Sequence, residues 1–308
     1  MHNRIVRRLA FVLAFIIAAA GITITPAHAA LSPAGPAAAV KGYPGKTVNS
    51  TRSLLGGPYF FYGIARQVLA AGESATSLAA NLHVQNTYLD TTNDAHTLGE
   101  LAVQSHDSKQ IVEVGWNRDD AVCGAGNTCL FVFRWKDGVP TCYNLCAGGA
   151  FVEYAAACSV AGTICAGDNL SPHFNTTKRF QIIHSGSAWW IAYDGHWIGY
   201  YPDTVNPTFT SGGLFQVFYE VATKATGDNT PCTDMGNGRD GATDLSAARM
   251  GSISMTGTAP GAIANNFTAS TQPSTAVYTA TALSATTTRA GGPGYNPAGT
   301  GVGTRGSC

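Results

Sequence analysis

Two glutamates stand out because each interrupts an otherwise apolar run. Glu113 lies in Ile111-Val112-Glu113-Val114-Gly115-Trp116, and Glu220 lies in Phe215-Gln216-Val217-Phe218-Tyr219-Glu220-Val221. Aromatic and β-branched residues dominate both runs, which therefore read as strands. Successive strand side chains point to opposite faces. Glu113 should share a face with Ile111 and Gly115, and Glu220 with Gln216 and Phe218. A carboxylate among such neighbours is partly desolvated, which raises its pKa. Two of them brought together share protons, one neutral while the other is ionised, and so supply an acid and a base in one site. The same pattern also fits two amphipathic strands whose acids simply face water.

Other chemistries find less support. There is no Gly-x-Ser-x-Gly elbow and no His-Glu-x-x-His pair. Ser185 follows His184, but neighbours on a strand face opposite ways. The histidines are dispersed, and the Gly-rich run 291–306 lacks the strand–loop–helix setting of a phosphate cradle. The remaining acids, such as Asp119, Asp120 and Asp240, sit in polar turns and read as solvated.

The elements that must position the pair are short strands. Candidates are 60–68, 78–89, 110–116, 130–135, 180–184, 188–193, 196–200 and 214–223. Turns rich in Gly, Asp and Asn separate them, and Tyr193-Asp194-Gly195-His196 is a strong hairpin signal. Beyond the N-terminal segment no long stretch has a 3.6-residue period. The pattern predicts an all-β, antiparallel sandwich or barrel. Residues 274–288 could add an edge strand.

The chain ends and the cysteines suggest an exported protein. Arg4, Arg7 and Arg8, an apolar run from Leu9 to Ala20, and Ala27-His28-Ala29 have the layout of a secretory signal peptide over 1–29. Residues 30–52, rich in Ala, Pro and Gly, read as a flexible leader or short propeptide, and 53–308 as one domain. The 18 basic residues balance the 18 acidic ones only while the signal is present. Without it, 15 basic face 18 acidic residues. No excess of positive charge is available for nucleic acid, and no second segment suits a membrane. Eight cysteines make an even set, as disulfides require. Cys123/Cys129, Cys142/Cys146 and Cys158/Cys165 are close sequential pairs, and Cys232 and Cys308 pair by elimination. A zinc site is the alternative use of these thiols, but no Cys-x-x-Cys occurs.

Aromatic residues gather at Trp189, Trp190, Tyr193, Trp197, Tyr200 and Tyr201, and Trp116 follows Glu113. Such rings either fill a sandwich core or grip proline and sugar rings at a surface.

In their order, these motifs resemble the neprosin family of secreted glutamic peptidases. The resemblance runs from about Tyr59 to the C-terminus. It is carried by Tyr62-Gly63, by Glu113-Val-Gly-Trp116, and by Cys142-Tyr-Asn-Leu-Cys146. It continues through Trp189-Trp190, Ile198-Gly-Tyr-Tyr-Pro202, Glu220-Val221 and Met235-Gly-Asn-Gly238. It implies an antiparallel β-sandwich of two curved sheets with stapled loops. It also implies a catalytic pair of Glu113 and Glu220 on one sheet, and hydrolysis of proline-containing peptides, after proline, in acid. Candidate substrate contacts are Trp116, Asn117, Trp189, Trp190, Tyr200, Gln216 and Tyr219. No metal or cofactor is implied, and a monomer is the default expectation. Phe218-Tyr219 before Glu220 departs from the family's small residues there. Two other functions use the same features: a non-catalytic module gripping glycan or Pro-rich protein, and a two-carboxylate glycoside hydrolase.

Only 12% of residues are charged, so few ion-paired carboxylates can be lost on protonation. With disulfides intact, the acid-unfolding midpoint, followed by circular dichroism, should lie below that of an ordinary mesophilic enzyme.

Overall fold

Apolar alternation and turn chemistry organise the chain into two layers. In a computed structural model, residues 58–145, 148–224, 231–257, 263–274 and 277–293 are described. They form β1 (Phe60–Val68), β2 (Ala75–Val84), β3 (Asp94–Gln104), β4 (Ile111–Arg118), β5 (Thr128–Lys136), β6 (Val139–Pro140), β7 (Val152–Glu153) and β8 (Thr176–Ser185). There follow β9 (Ala188–Tyr193), β10 (His196–Pro202), β11 (Leu214–Thr223), β12 (Arg249–Gly257), β13 (Thr268–Gln272), β14 (Thr279–Ser284) and β15 (Thr287–Gly291). Two single-turn helices, α1 (Asp120–Cys123) and α2 (Ala155–Cys158), interrupt them. None of the described helices is long and apolar enough to cross a membrane.

The strands make two open antiparallel sheets. One has the order β13-β1-β11-β3-β4-β5-β6, the other β14-β15-β12-β2-β8-β9-β10-β7. The fold is thus the antiparallel β-sandwich expected. Leu101, Val103, Val112, Val114, Trp116, Val217, Tyr219 and Val221 of the first sheet pack on Leu78, Leu82, Phe180, Ile182, Trp189 and Ile191 of the second. A second apolar cluster covers the outer face of the first sheet and includes Tyr62, Ile64, Leu98, Ile111, Phe131, Phe133, Trp135, Tyr143 and Phe218. Burial on both faces explains why β4 and β11 read as nearly continuous apolar runs rather than clean alternation.

Turn chemistry behaves as expected. At the β9–β10 connection Asp194 and Gly195 both have positive φ, 49° and 85°, as a two-residue type I′ turn demands. Asp137 and Gly138 repeat this between β5 and β6. The anticipated edge strand is β14, at the margin of its sheet. Among the strands that the sequence did not announce, which include β12 and β13, β3 bears most on the site. Asp94, His96, Gly99 and Glu100 dilute its apolar content, yet it lies between β11 and β4, where pairing on both sides overrides propensity.

Disulfides join Cys123 to Cys129 and Cys158 to Cys165, as their spacing suggested. Cys142 and Cys232 are disulfide-bonded as well. Their expected partners, Cys146 and Cys308, lie outside the described residues, as do the signal and leader segments.

Trp116, which follows Glu113 in sequence, points into the sandwich core and is fully buried. Trp116→Ala should cost about 3–5 kcal/mol of stability, measured by denaturant unfolding.

Candidate active site

β3 is the central strand of the first sheet, and its register lays out the outer face in rows. Tyr62 (β1), Glu220 (β11), Leu98 (β3) and Asn117 (β4) share one row. Ile64, Phe218, Glu100 and Gly115 form the next, and Arg66, Gln216, Ala102 and Glu113 the third. Glu113 and Glu220 therefore lie on one face, two strands and two rows apart. At the usual strand and residue spacings, their Cα atoms would be roughly 16 Å apart in a flat sheet. Glu100 occupies the position between them, a diagonal neighbour of each at about 7–8 Å. All three glutamates are fully buried.

Gly115 makes room for this arrangement. A Cβ there would come within 2.2 Å of the Gly99 carbonyl oxygen and 2.6 Å of Glu100 Cβ. Within Glu113-Val-Gly-Trp116, the Glu faces outward, the Gly seats the neighbouring Glu100, and the Trp anchors the core.

Each acid has identifiable partners. His96 Nε2 lies 2.7 Å from Glu220 Oε1, and both side chains are wholly buried. The Tyr62 hydroxyl lies beside Glu220. Burial foremost, then the charge and hydrogen bond of Glu220, and then the charges of Glu100 and Glu113 push the Tyr62 hydroxyl well above its ordinary range, so it remains a neutral donor. The Trp135 indole N–H donates to Glu113 Oε1 at 3.1 Å. On its other side His96 faces Asp119, with Nδ1 4.0 Å from Oδ2. Asp119 also caps α1, its Oδ1 accepting from the Ala121 N–H at 2.8 Å. Burial raises the Asp119 carboxyl above its usual range, with the His96 charge and backbone hydrogen bonds opposing in part. A cavity of about 340 Å³ is lined by Asp119 together with Asp94, Asp120 and Lys224. Two side chains, Asp119 and His96, separate it from Glu220.

The candidate contact residues divide three ways. Asn117 shares the row of Glu220, and both polar atoms of its side chain are buried without a hydrogen-bond partner. Gln216 is on the same face and accepts from Gln104 Nε2 at 2.5 Å. Trp116 and Tyr219 point through the sheet into the core, with ring centroids 5.9 Å apart. Trp189 is also core, donating to the Phe209 carbonyl at 2.6 Å. Trp190 and Tyr200 pack together at 4.6 Å on the outside of the second sheet, beside Trp197 and Tyr154. The paired tryptophans and Tyr200 thus do not line the glutamate face. Strand alternation sends one Trp inward and the other to the far side of the molecule.

Sequence reading missed Glu100 and His96 because it missed β3. The run Leu98-Gly-Glu100-Leu-Ala-Val103 carries the same signal, an acid among apolar residues, as the runs that were noticed. Asp119, expected to be solvated, is 4% exposed because it closes α1 and faces His96. Among the described residues, one set of three potential metal ligands converges, Glu153, Cys158 and Cys165, and its two sulfurs are joined in a disulfide.

An antiparallel sandwich with buried carboxyl groups gathered on the outer face of one sheet has the makings of a carboxyl-based acid–base hydrolase. The sequence matches the family model described as Neprosin over residues 93–292, from the start of β3 to the end of β15. The chain belongs to the neprosin family of glutamic peptidases. Similar solved structures include scytalido-glutamic peptidase with a peptide-based transition-state analogue, at 11% identity and TM-score 0.38, covering 75% of this chain and 97% of that one. A homodimeric agglutinin from chicken liver matches at 10% identity and TM-score 0.29, covering 52% and 96%. A glycoside hydrolase family 16 endo-glucanase from Bacteroides ovatus matches at 10% and 0.30, covering 54% and 68%. No curated protein matches the sequence.

Gly115→Ala should cost about 1–3 kcal/mol, because a methyl group is forced against neighbouring backbone. Denaturant unfolding of the variant reads this directly.

Proposed function

We propose that this protein is an exported, acid-active endopeptidase that cleaves proline-containing peptides, after proline, with Glu113 and Glu220 as its catalytic pair. The observation that carries this reading is the placement of both glutamates, from segments 107 residues apart, on one buried face of one sheet. One carboxylate takes a proton from a water held over the face. The other, protonated, polarises the scissile carbonyl and then supplies the proton for the leaving nitrogen. Glu100 sits beneath the gap between them. Asn117, with an amide donor and acceptor both unpartnered, suits a substrate backbone laid along the Glu220 row. Because the glutamates are fully buried, a peptide reaches them only when this face opens. The formed disulfides suit an oxidising, extracellular setting.

Glu113→Gln and Glu220→Gln, each folded by circular dichroism, should lower kcat/KM on a proline-containing peptide by about a hundredfold or more at acid pH. Wild-type turnover in either variant defeats the pair. A polysaccharide cleaved where peptides are not would move the same carboxyl groups to glycoside hydrolysis. The wild-type rate should fall as pH rises toward neutrality, because the group that must donate a proton then ionises.

A further inference from the structure

We propose that Arg66 is a specificity-determining residue at the rim of the glutamate face. It receives a carboxylate of the peptide substrate, borne by an acidic side chain or by the C-terminus, about two to four residues from the bond that is cut. This rests on the reading of the protein as a peptidase with Glu113 and Glu220 as the acting pair.

Arg66 lies in the row of Gln216, Ala102 and Glu113. Alternation along β1 sets it with Tyr62 and Ile64, which pack on the outer face, while Phe61 and Ala65 fill the sandwich. Gln216, Ala102 and Glu113 are buried and Arg66 only partly so, which makes it the member of its row that reaches solvent. Its Nε is nonetheless shut from solvent and has no hydrogen-bond partner. Ion pairs among the described residues engage Arg118, Lys178 and Arg239, not Arg66. The nearest positions on its face hold Ile64 and Val68 along β1, Gln216 on β11 and Thr268 on β13, none of them acidic. In a flat sheet its Cα lies roughly 12–14 Å from those of Glu100, Glu113 and Glu220.

A guanidinium in this state is a half-made contact. Nε and an η nitrogen form the fork that takes a carboxylate through two parallel hydrogen bonds, and a buried donor left unmet costs free energy until an acceptor arrives. Beside Arg66, Gln216 accepts from Gln104, whose own Oε1 is wholly buried and without a partner. A donor and an acceptor are thus unmet at this end of the face, as both side-chain atoms of Asn117 are in the row of Glu220. Buried polar atoms are ordinarily satisfied, so atoms left open at both ends of one face mark where an extended peptide finds its hydrogen bonds. Such a chain advances about 3.3–3.6 Å per residue. Arg66 stands roughly 14 Å from each catalytic glutamate, and its long side chain shortens the span, which gives the two-to-four-residue offset. Wherever the glutamates of the face are ionised they repel a substrate carboxylate, which confines its attraction to Arg66.

The test uses amidated proline-containing peptides with Glu, Gln or Lys at successive positions on either side of the proline, and the Gln peptides again with a free C-terminus. It is run at about pH 5, where a peptide glutamate is largely ionised. Wild-type kcat/KM should favour Glu over Gln about fivefold or more at one position, or a free over an amidated C-terminus if the carboxylate is terminal. Arg66→Gln, folded by circular dichroism, should abolish that preference, and Arg66→Glu should reverse it in favour of Lys at the same position. A wild type indifferent to carboxylates at every position overturns the proposal, as does a preference that survives in the folded variants. If neither variant folds, an undiminished preference in Arg66→Lys, which keeps the charge and loses the fork, does the same. Fluorescence anisotropy of the same peptides on Glu220→Gln reads the preference as an affinity ratio, free of turnover. A carboxylate preference beside fully active Glu113→Gln and Glu220→Gln sinks the catalytic pair and keeps Arg66. Inactive glutamate variants without a preference sink Arg66 alone, and a protein that neither cuts nor binds these peptides sinks both.

Discussion

The pairing of β3 between β11 and β4 is the constraint on which the rest of the molecule depends. It brings Glu113 and Glu220 onto one face, two rows apart, and it inserts Glu100 in the row between them. Side chains alternate along all three strands, so one register serves both faces. Val112, Val114, Val217 and Val221 fill the sandwich while the glutamates occupy the other side. A slip of one residue in β3 would turn Glu100 into the apolar core and Leu101 out of it. The core therefore enforces which face the acids occupy: any register that buries the valines keeps the glutamates on the other side of the sheet.

Burying carboxyl groups has a cost that the neighbouring residues offset one by one. Glu220 has the imidazole of His96 and the hydroxyl of Tyr62, and Glu113 has the indole of Trp135. These donors come from β3, β1 and β5, the strands beside those that carry the acids. Desolvation strengthens each of these contacts and also makes a missing one expensive. Within the sheet, then, the residues that tune the chemistry are also residues that hold the strands in register. Gly115 belongs with them, since its lack of a side chain lets β4 lie against Glu100.

The aromatic residues show how the same local pattern can serve different ends. Trp189 and Trp190 are adjacent, yet one stacks on Phe209 within the sandwich and the other packs against Tyr200 on the outer surface of the second sheet. Trp116 and Tyr219 flank the glutamates in sequence and still belong to the interior. Proximity along a strand is nearly the opposite of proximity on a face, because neighbours at i and i+1 diverge and residues on paired strands converge.

The sequence by itself determined the class of fold, because short apolar runs and Asp-Gly turns carry their instructions locally. It also marked Glu113 and Glu220, because an acid inside an apolar run is visible without knowing its partners. The short disulfides Cys123–Cys129 and Cys158–Cys165 were legible for the same reason, their halves being close along the chain. What only the tertiary structure decided is what faces those glutamates. β3 is weakly strand-forming and is held by its two neighbours, so Glu100 and His96 stayed hidden until the pairing was known. The contact of His96 with Glu220 spans 124 residues of sequence, and that with Asp119 crosses from a strand to a turn. Such contacts arise from register and layer packing, which depend on all the strands together and leave no mark on any one segment.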